Sequence, residues 1–213
     1  PQIIRGGRDW SSLSRQAEAY GYNFLERVAK TQEKTRNARL RRILQALKVA
    51  VPQLKDLRLD QDEFGAPHLV GLYEHWRQLP AKQSEESFSD GTLRLLGLLW
   101  ALQDGDGSLL LEEPELSLHS GVVRRLPGLI HRIQRERKRQ IFVSTHSFEL
   151  LSDPGISGSE ILMLMPEKEG TQVRSAANQP EIQALLDAGL TPADAVIPHT
   201  EPRDLQQLEL FKL

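Results

Sequence analysis

The 213-residue chain contains no cysteine. That excludes a disulfide framework and any thiolate metal site. Neither charge is in excess: Lys and Arg number 27, Asp and Glu 29, for a net charge of −2. Such a balance does not point to a protein that coats nucleic acid generally. No apolar run approaches the roughly 20 residues of a membrane span, and no charged, apolar and small-residue leader opens the chain. The expectation is a cytoplasmic protein with no membrane partner. The opening residues, Pro1-Gln2-Ile3, include no initiator Met, which reads as a fragment, a processed chain or a numbered piece of a longer gene. No Gly-x-x-x-x-Gly-Lys-Ser/Thr loop occurs, and Gly6-Gly7-Arg8 is too short to be one. Histidines and glutamates do not fall at zinc-ligand spacing. There is no internal repeat and no low-complexity tract.

What is present is long enough to bury a sizeable core as one domain or one large lobe. Ile3-Ile4 before Gly6-Gly7 reads as a strand end and a turn. Leu13, Ala17, Tyr20, Phe24 and Val28 fall at spacings of three and four, which predicts a helix from about Ser11 to Ala29. Leu40, Ile43, Leu44 and Leu47 predict a second from Thr35 to Val49, ended by Pro52. Leu54–Leu59 alternates like a half-buried strand, Gln61–Pro67 reads as a turn, and His68–Tyr73 as the return strand. Gln78–Ser87 is polar and reads as a mobile loop. A helix over Thr92–Gln103 then precedes a strand at Leu109-Leu110-Leu111. A helix over Ser120–Lys138 precedes a strand at Ile141–Ser144. Continuous apolar strands alternating with helices predict an α/β fold with a mainly parallel sheet covered on both faces. Short edge strands at Glu160–Met165 and Thr171–Ser175 follow, then a helix from Pro180 to Ala188 with Gly189 as its C-cap. The tail from Thr191 is poorly patterned until Leu205–Leu213. The expected divisions are a helical segment at 1–51, a lobe at 52–190 and a tail at 191–213.

Three places carry chemistry. Ser89-Asp90-Gly91-Thr92 lies directly before a helix. Ser89 or Asp90 can cap it, Gly91 permits a close backbone approach, and the free N–H groups of a helix start favour an anion. Read alone, the run is a plain N-cap. Glu112-Glu113 ends an apolar strand. Two carboxylates there are expensive unless they meet a cation or a proton, and adjacent strand residues face opposite ways, so the two should differ in role. Read alone, this is a strand emerging into solvent. His146 follows Ile141–Thr145 at the end of the second strand. Asp104-Gly105-Asp106-Gly107-Ser108 partly mimics a calcium loop but has Leu109 where that loop needs glycine. The same aspartates lack the strand-borne Glu of a TOPRIM-type nuclease. Arg124, Arg125, Arg132, Arg135, Arg137, Lys138 and Arg139 form one basic group; Lys30, Lys34, Arg36, Arg39, Arg41 and Arg42 form another. Both read first as solvated helix faces and second as phosphate-binding surfaces.

In this order the motifs resemble the C-terminal half of an ABC-type ATPase head of the SMC, RecF and OLD-like kind. The resemblance covers about residues 52–190. It implies a P-loop NTPase-like fold and ATP hydrolysis with Mg²⁺ at a dimer interface, in DNA repair or phage defence. Ser89, Asp90 and Gly91 match the signature loop, with Asp90 in place of the family's first Gly and Thr92 in place of Gln or Glu. Leu109–Glu113 matches Walker B, with Glu112 as the magnesium-side acid and Glu113 as the base that activates water. Glu112 stands where Asp is commoner. Leu116-Ser117-Leu118-His119 falls at the D-loop, so Ser117 is expected to meet the nucleotide across the dimer. His146 matches the switch histidine that senses the γ-phosphate. The missing phosphate loop implies a partner, an N-terminal Walker A lobe, without which the chain is expected to be inactive. A homodimer of heads is expected, and DNA or a nuclease as a further partner. The competing readings are a non-catalytic interaction module that keeps the fold and a nuclease-regulating or nucleic-acid-binding domain.

Overall fold

The computed structural model describes residues 24–74, 80–167 and 169–201. The strand end expected at Ile3-Ile4, the first helix before Phe24 and the patterned tail at Leu205–Leu213 lie outside these residues. Two compact units emerge. One takes in the chain as far as Leu109 together with Leu116–His119, the other Leu110–Glu115 together with Ser120 onward.

The first unit begins with α1 (Phe24–Lys30) and α2 (Glu33–Ala50). Leu40, Ile43, Leu44 and Leu47 share one face of α2, and all four are buried. The helix stops one residue short of Pro52, as the bias against helical backbone before proline requires. β1 (Leu54–Gln61) and β2 (Pro67–Tyr73) form an antiparallel hairpin. Asp62 Oδ1 accepts the Phe64 and Ala66 N–H groups at 2.9 and 2.8 Å, and Gly65 turns the chain at φ +79.

The polar run expected to be a mobile loop is ordered from Pro80 onward. β3 (Ala81–Ser84) pairs antiparallel with β2. Glu85 after it is fully buried. Its carboxylate accepts the Leu69 N–H at 2.8 Å and lies 2.8 Å from His68 Nδ1. Burial alone would lower the His68 pKa, but the hydrogen bond to Glu85 and the charges of Glu85, Asp62 and Glu86 outweigh it and raise the pKa.

α3 (Asp90–Gln103) is buried around much of its girth, through Leu93, Leu95, Leu96, Leu98, Leu99, Trp100 and Leu102. A helix apolar on so many sides is the core of its unit. Beyond its end the chain reaches β4 through exposed residues at 105–108, while Asp104 itself is partly covered. Arg27 and Arg39 each reach its carboxylate at 2.7 Å, and the Arg39 guanidinium lies 5.3 Å from the Trp100 ring centre.

In the second unit β4 (Leu109–Glu112) pairs with β5 (Ile141–Ser144) through the crossover that parallel strands need. The expectation of strands buried on both faces is not met. Leu110 is 76% and Phe142 47% exposed, because alternate residues of this two-stranded ribbon face outward with no element of the described residues over them. The single helix expected over Ser120–Lys138 is two: α4 (Ser120–Val123) and α5 (Leu126–Arg137). Pro127 explains the break, since proline is tolerated in a first helical turn and not in mid-helix. Lys138 ends α5 in the left-handed conformation.

A short α6 (Phe148–Leu151) follows β5. β6 (Leu162–Glu167) and β7 (Gly170–Ser175) pair antiparallel. α7 (Pro180–Asp187) ends just before Gly189, which takes φ +91. The stretch after Thr191 is not unpatterned: α8 (Pro192–Thr200) starts there, with Thr191 and Asp194 capping each other. Met163, Ala176, Ile182, Ala195 and Val196 form the core here. The architecture is mixed α/β, with the β4–β5 pair flanked in sequence by antiparallel pieces. No helix among the described residues is long and apolar enough to cross a membrane.

Candidate functional site

The sequence-predicted residues fall into two groups, one in each unit. In the first unit Ser89 caps α3: its Oγ accepts the Thr92 N–H at 3.2 Å and lies 2.8 Å from Thr92 Oγ1. Asp90 is the first, exposed residue of the helix. Gly91 is packed against the backbone of Ser117. A Cβ placed on Gly91 would lie 2.6 Å from the Ser117 carbonyl oxygen. Ser117 holds a left-handed conformation at φ +64. The close approach that a glycine permits at this helix start is therefore made by protein backbone, and it brings the Ser89–Gly91 loop and Ser117 together.

In the second unit Glu112 is the last, exposed residue of β4. Glu113 follows at φ +41, a left-handed conformation rare for a residue with a side chain. Its N–H donates to the Ser144 carbonyl at 2.9 Å, which pins the end of β4 to the end of β5. Its Oε1 lies 2.7 Å from His146 Nδ1. The Glu113 side chain is 32% exposed and that of His146 78%. The pair is within hydrogen-bonding distance while remaining open to a reactant.

Two further residues of this site had no individual role in the sequence reading. Glu115 is 7% exposed, and its Oε1 accepts a hydrogen bond from the Thr145 hydroxyl. Thr145 Oγ1 in turn accepts the Ser147 N–H at 3.0 Å. The available signal was position: Glu115 lies two residues past Glu113, and Thr145 directly precedes His146.

No cluster of three or more histidine, aspartate or glutamate side chains able to hold a metal occurs among the described residues. Mg²⁺ binds through as few as one or two carboxylates and keeps waters or substrate phosphates as its other ligands, and the exposed carboxylate of Glu112 fits that demand. Asp104 is not available for such a role, being held by two arginines. Those arginines keep its pKa below the ordinary value although burial alone would raise it. The basic groups are also not uniform. Arg36 donates to the Ala29 and Thr31 carbonyls at 3.1 and 3.2 Å, closing the end of α1. Arg39 belongs to Asp104, and Arg139 is buried. Arg124, Arg125, Arg132, Arg135, Arg137 and Lys138 are exposed.

Solved SMC structures resemble this chain. One comes from work on the ATP-driven dimerisation and DNA-stimulated activation of SMC ATPases, with 16% identity, a TM-score of 0.50, and coverage of 78% of this chain and 94% of that one. Another is the Smc head domain with a coiled coil and joint from Pyrococcus yayanosii, with 18% identity and a TM-score of 0.51. That likeness covers 81% of this chain and 34% of the other. At such identities the likeness is one of fold, that of an SMC-type ATPase head. No curated protein matches the chain. A family model described as "AAA domain, putative AbiEii toxin, Type IV TA system" matches residues 3–152. That match spans well over half of the sequence, and the chain belongs to this AAA-domain family.

Proposed function

We propose that the chain is the C-terminal part of an ABC-type ATPase head that binds and hydrolyses ATP with Mg²⁺ where two heads meet. The observation that carries this reading is the 2.7 Å contact between Glu113 and His146 at the ends of neighbouring strands. Glu113 is the general base. Its Oε1 lies against His146 Nδ1, and the side chain is 32% exposed, so an attacking water can reach the carboxylate and give up a proton to it. His146 faces solvent and is placed to contact the terminal phosphate as the water attacks. Mg²⁺, when bound, neutralises phosphate charge, and Glu112 is the carboxylate that would hold it, directly or through water.

Ser89, Asp90, Gly91 and Ser117 form the second element of the reaction. They supply a helix start and an adjoining loop that meet the nucleotide of the opposite head. Their backbone contact supports treating them as one recognition surface. Most of the phosphate contacts in such sites come from a glycine-rich loop and its lysine, here assigned to an N-terminal Walker A lobe. The family's description as a putative toxin of a toxin–antitoxin system favours a defence setting over DNA repair.

The test is Glu113→Gln in the complete protein. ATP binding should persist while hydrolysis falls by about 10²–10⁴, the range for loss of a general base. Unchanged steady-state turnover would remove Glu113 from that role and the Walker B assignment with it.

A further inference from the structure

We infer that Glu115 is a positioning residue for the Glu113–His146 pair, acting through the hydroxyl of Thr145. This inference rests on the ATPase reading of that pair. Glu113 occupies a left-handed conformation, which is unfavourable for a side-chain-bearing residue and persists only where the surroundings over-determine it. His146 is mostly exposed, so packing does little to fix its ring. The Glu113 N–H is tied to the Ser144 carbonyl, and on the histidine side the hydrogen bonds run through Thr145 to Glu115.

The chain of bonds has a defined direction. A threonine hydroxyl has one hydrogen to give. Thr145 Oγ1 accepts the Ser147 N–H, so its own hydrogen goes to the Glu115 carboxylate. The Ser147 side chain then accepts the Leu150 N–H at 3.2 Å and caps α6. His146 therefore sits between two residues, Thr145 and Ser147, that a single buried carboxylate fixes in sequence. On the other side Pro114 joins Glu115 to Glu113 with one restricted backbone angle. Glu115 thus ties the loop that carries the base to the loop that carries the histidine.

Stability alone is a poor explanation for this glutamate. Its Oε2 is buried and has no hydrogen-bond partner among the described residues. A buried carboxylate oxygen left unpaired is destabilising. Glutamine would accept the Thr145 hydroxyl equally well, whereas alanine would not.

The experiment compares Glu115→Ala, Glu115→Gln and Thr145→Val in the complete protein, with Glu113→Gln alongside. Glu115→Ala and Thr145→Val should each lower kcat by about tenfold or more, as misplacement of a catalytic group by an ångström does. KM for ATP should stay within about twofold, because the loss falls on the transition state. Glu115→Gln should keep kcat within about threefold of the parent, since the accepting oxygen remains. The double variant Glu115→Ala/Thr145→Val should be no slower than the slower single one, as expected of two partners in one bond. Thr145→Val keeps the side-chain shape, so it decides the matter if the alanine variant fails to fold. Parent-like kcat in Thr145→Val and Glu115→Ala, while Glu113→Gln is inactive, overturns the inference and leaves the ATPase reading intact. A rise in KM at constant kcat overturns it as well. A crystal structure of Thr145→Val that retains the 2.7 Å Glu113–His146 contact overturns it whether or not ATP is the substrate.

Discussion

Gly91 and Ser117 touch backbone to backbone, with room for a hydrogen and not for a methyl group: the added carbon would stand 2.6 Å from the Ser117 carbonyl oxygen. A glycine placed to admit a phosphate and a glycine placed to admit a neighbouring loop look the same in sequence. Here the neighbour is the loop, so Gly91→Ala should act on folding before it acts on nucleotide. The expected loss is about 1–3 kcal/mol, as for other overpacked sites, read from urea unfolding of this chain without ATP. A variant as stable as the parent would mean that the Ser117 loop moves aside at little cost.

The His68–Glu85 contact predicts a pH dependence with a definite sign. The His68 pKa is raised in the folded protein, so the contact stabilises fully below the unfolded histidine value of about 6.5. That contribution disappears as pH rises through the higher folded value. The groups around the ring are Glu85 at 2.8 Å, Asp62 at 3.7 Å and Glu86. Urea midpoints measured between pH 5 and pH 9 should fall on the alkaline side, and His68→Asn should flatten that fall. An unchanged slope in the variant would assign the dependence to another group.

Asp104 predicts the opposite limb. Its pKa is held low by Arg39 and Arg27 against the effect of burial, so its contribution is present above the unfolded carboxylate range and lost as pH falls through the folded value. The two arginines should not count equally. Arg27 is half exposed, and its coupling to Asp104 should stay within the roughly 0.2–1 kcal/mol of surface pairs. Arg39 is more buried and also lies over Trp100, so its coupling should be larger. Double-mutant cycles on the two pairs give the comparison, and equal couplings would refute it.

The basic run from Arg124 to Arg139 should divide in the same way. Arg124→Ala, Arg132→Ala and Arg135→Ala should leave stability within about 0.5 kcal/mol, as exposed positions do. Arg139→Ala, at a buried position, should lower it by more. If the exposed members bind DNA phosphates, affinity should fall by roughly one log–log salt unit per contact, and charge reversal at Arg135 and Arg137 should reduce that slope. A flat salt response in the parent would leave them as a solvated face.

Where local pattern and tertiary structure agree, the sequence is a good guide. The stripe Leu40, Ile43, Leu44, Leu47 is spaced for a helix and buried as one. Leu54–Leu59 reads as one strand of a hairpin and His68–Tyr73 as its return, and they pair. Ser89 precedes a helix and caps it. Glu113 and His146 are 33 residues apart in number, yet each ends a strand and the strands are neighbours. Legibility fails where a residue takes its meaning from a distant donor. Lys82, Glu85 and Glu86 make 80–87 look like solvated loop, but Leu69 and His68 supply the bonds that bury Glu85. Thr145 carries no marker of its own until Glu115 is beside it. The helix from Pro192 was visible in principle, since Thr191 and Asp194 stand at capping spacing, but little apolar periodicity follows to support it.

The division of the chain also bears on its synthesis. Leu116–His119 belongs with the first unit but is encoded inside the second. No single cleavage of the polypeptide yields both units whole. A ribosome that has just finished Leu109 has delivered a first unit still short of four residues, among them Ser117, on which Gly91 rests. Vectorial folding, in which an N-terminal unit closes before the next is made, is therefore delayed here until the segment bearing Glu112 and Glu113 has itself emerged. By the time Ser117 can reach Gly91, Glu112 and Glu113 have already been made, while His146 is still to come.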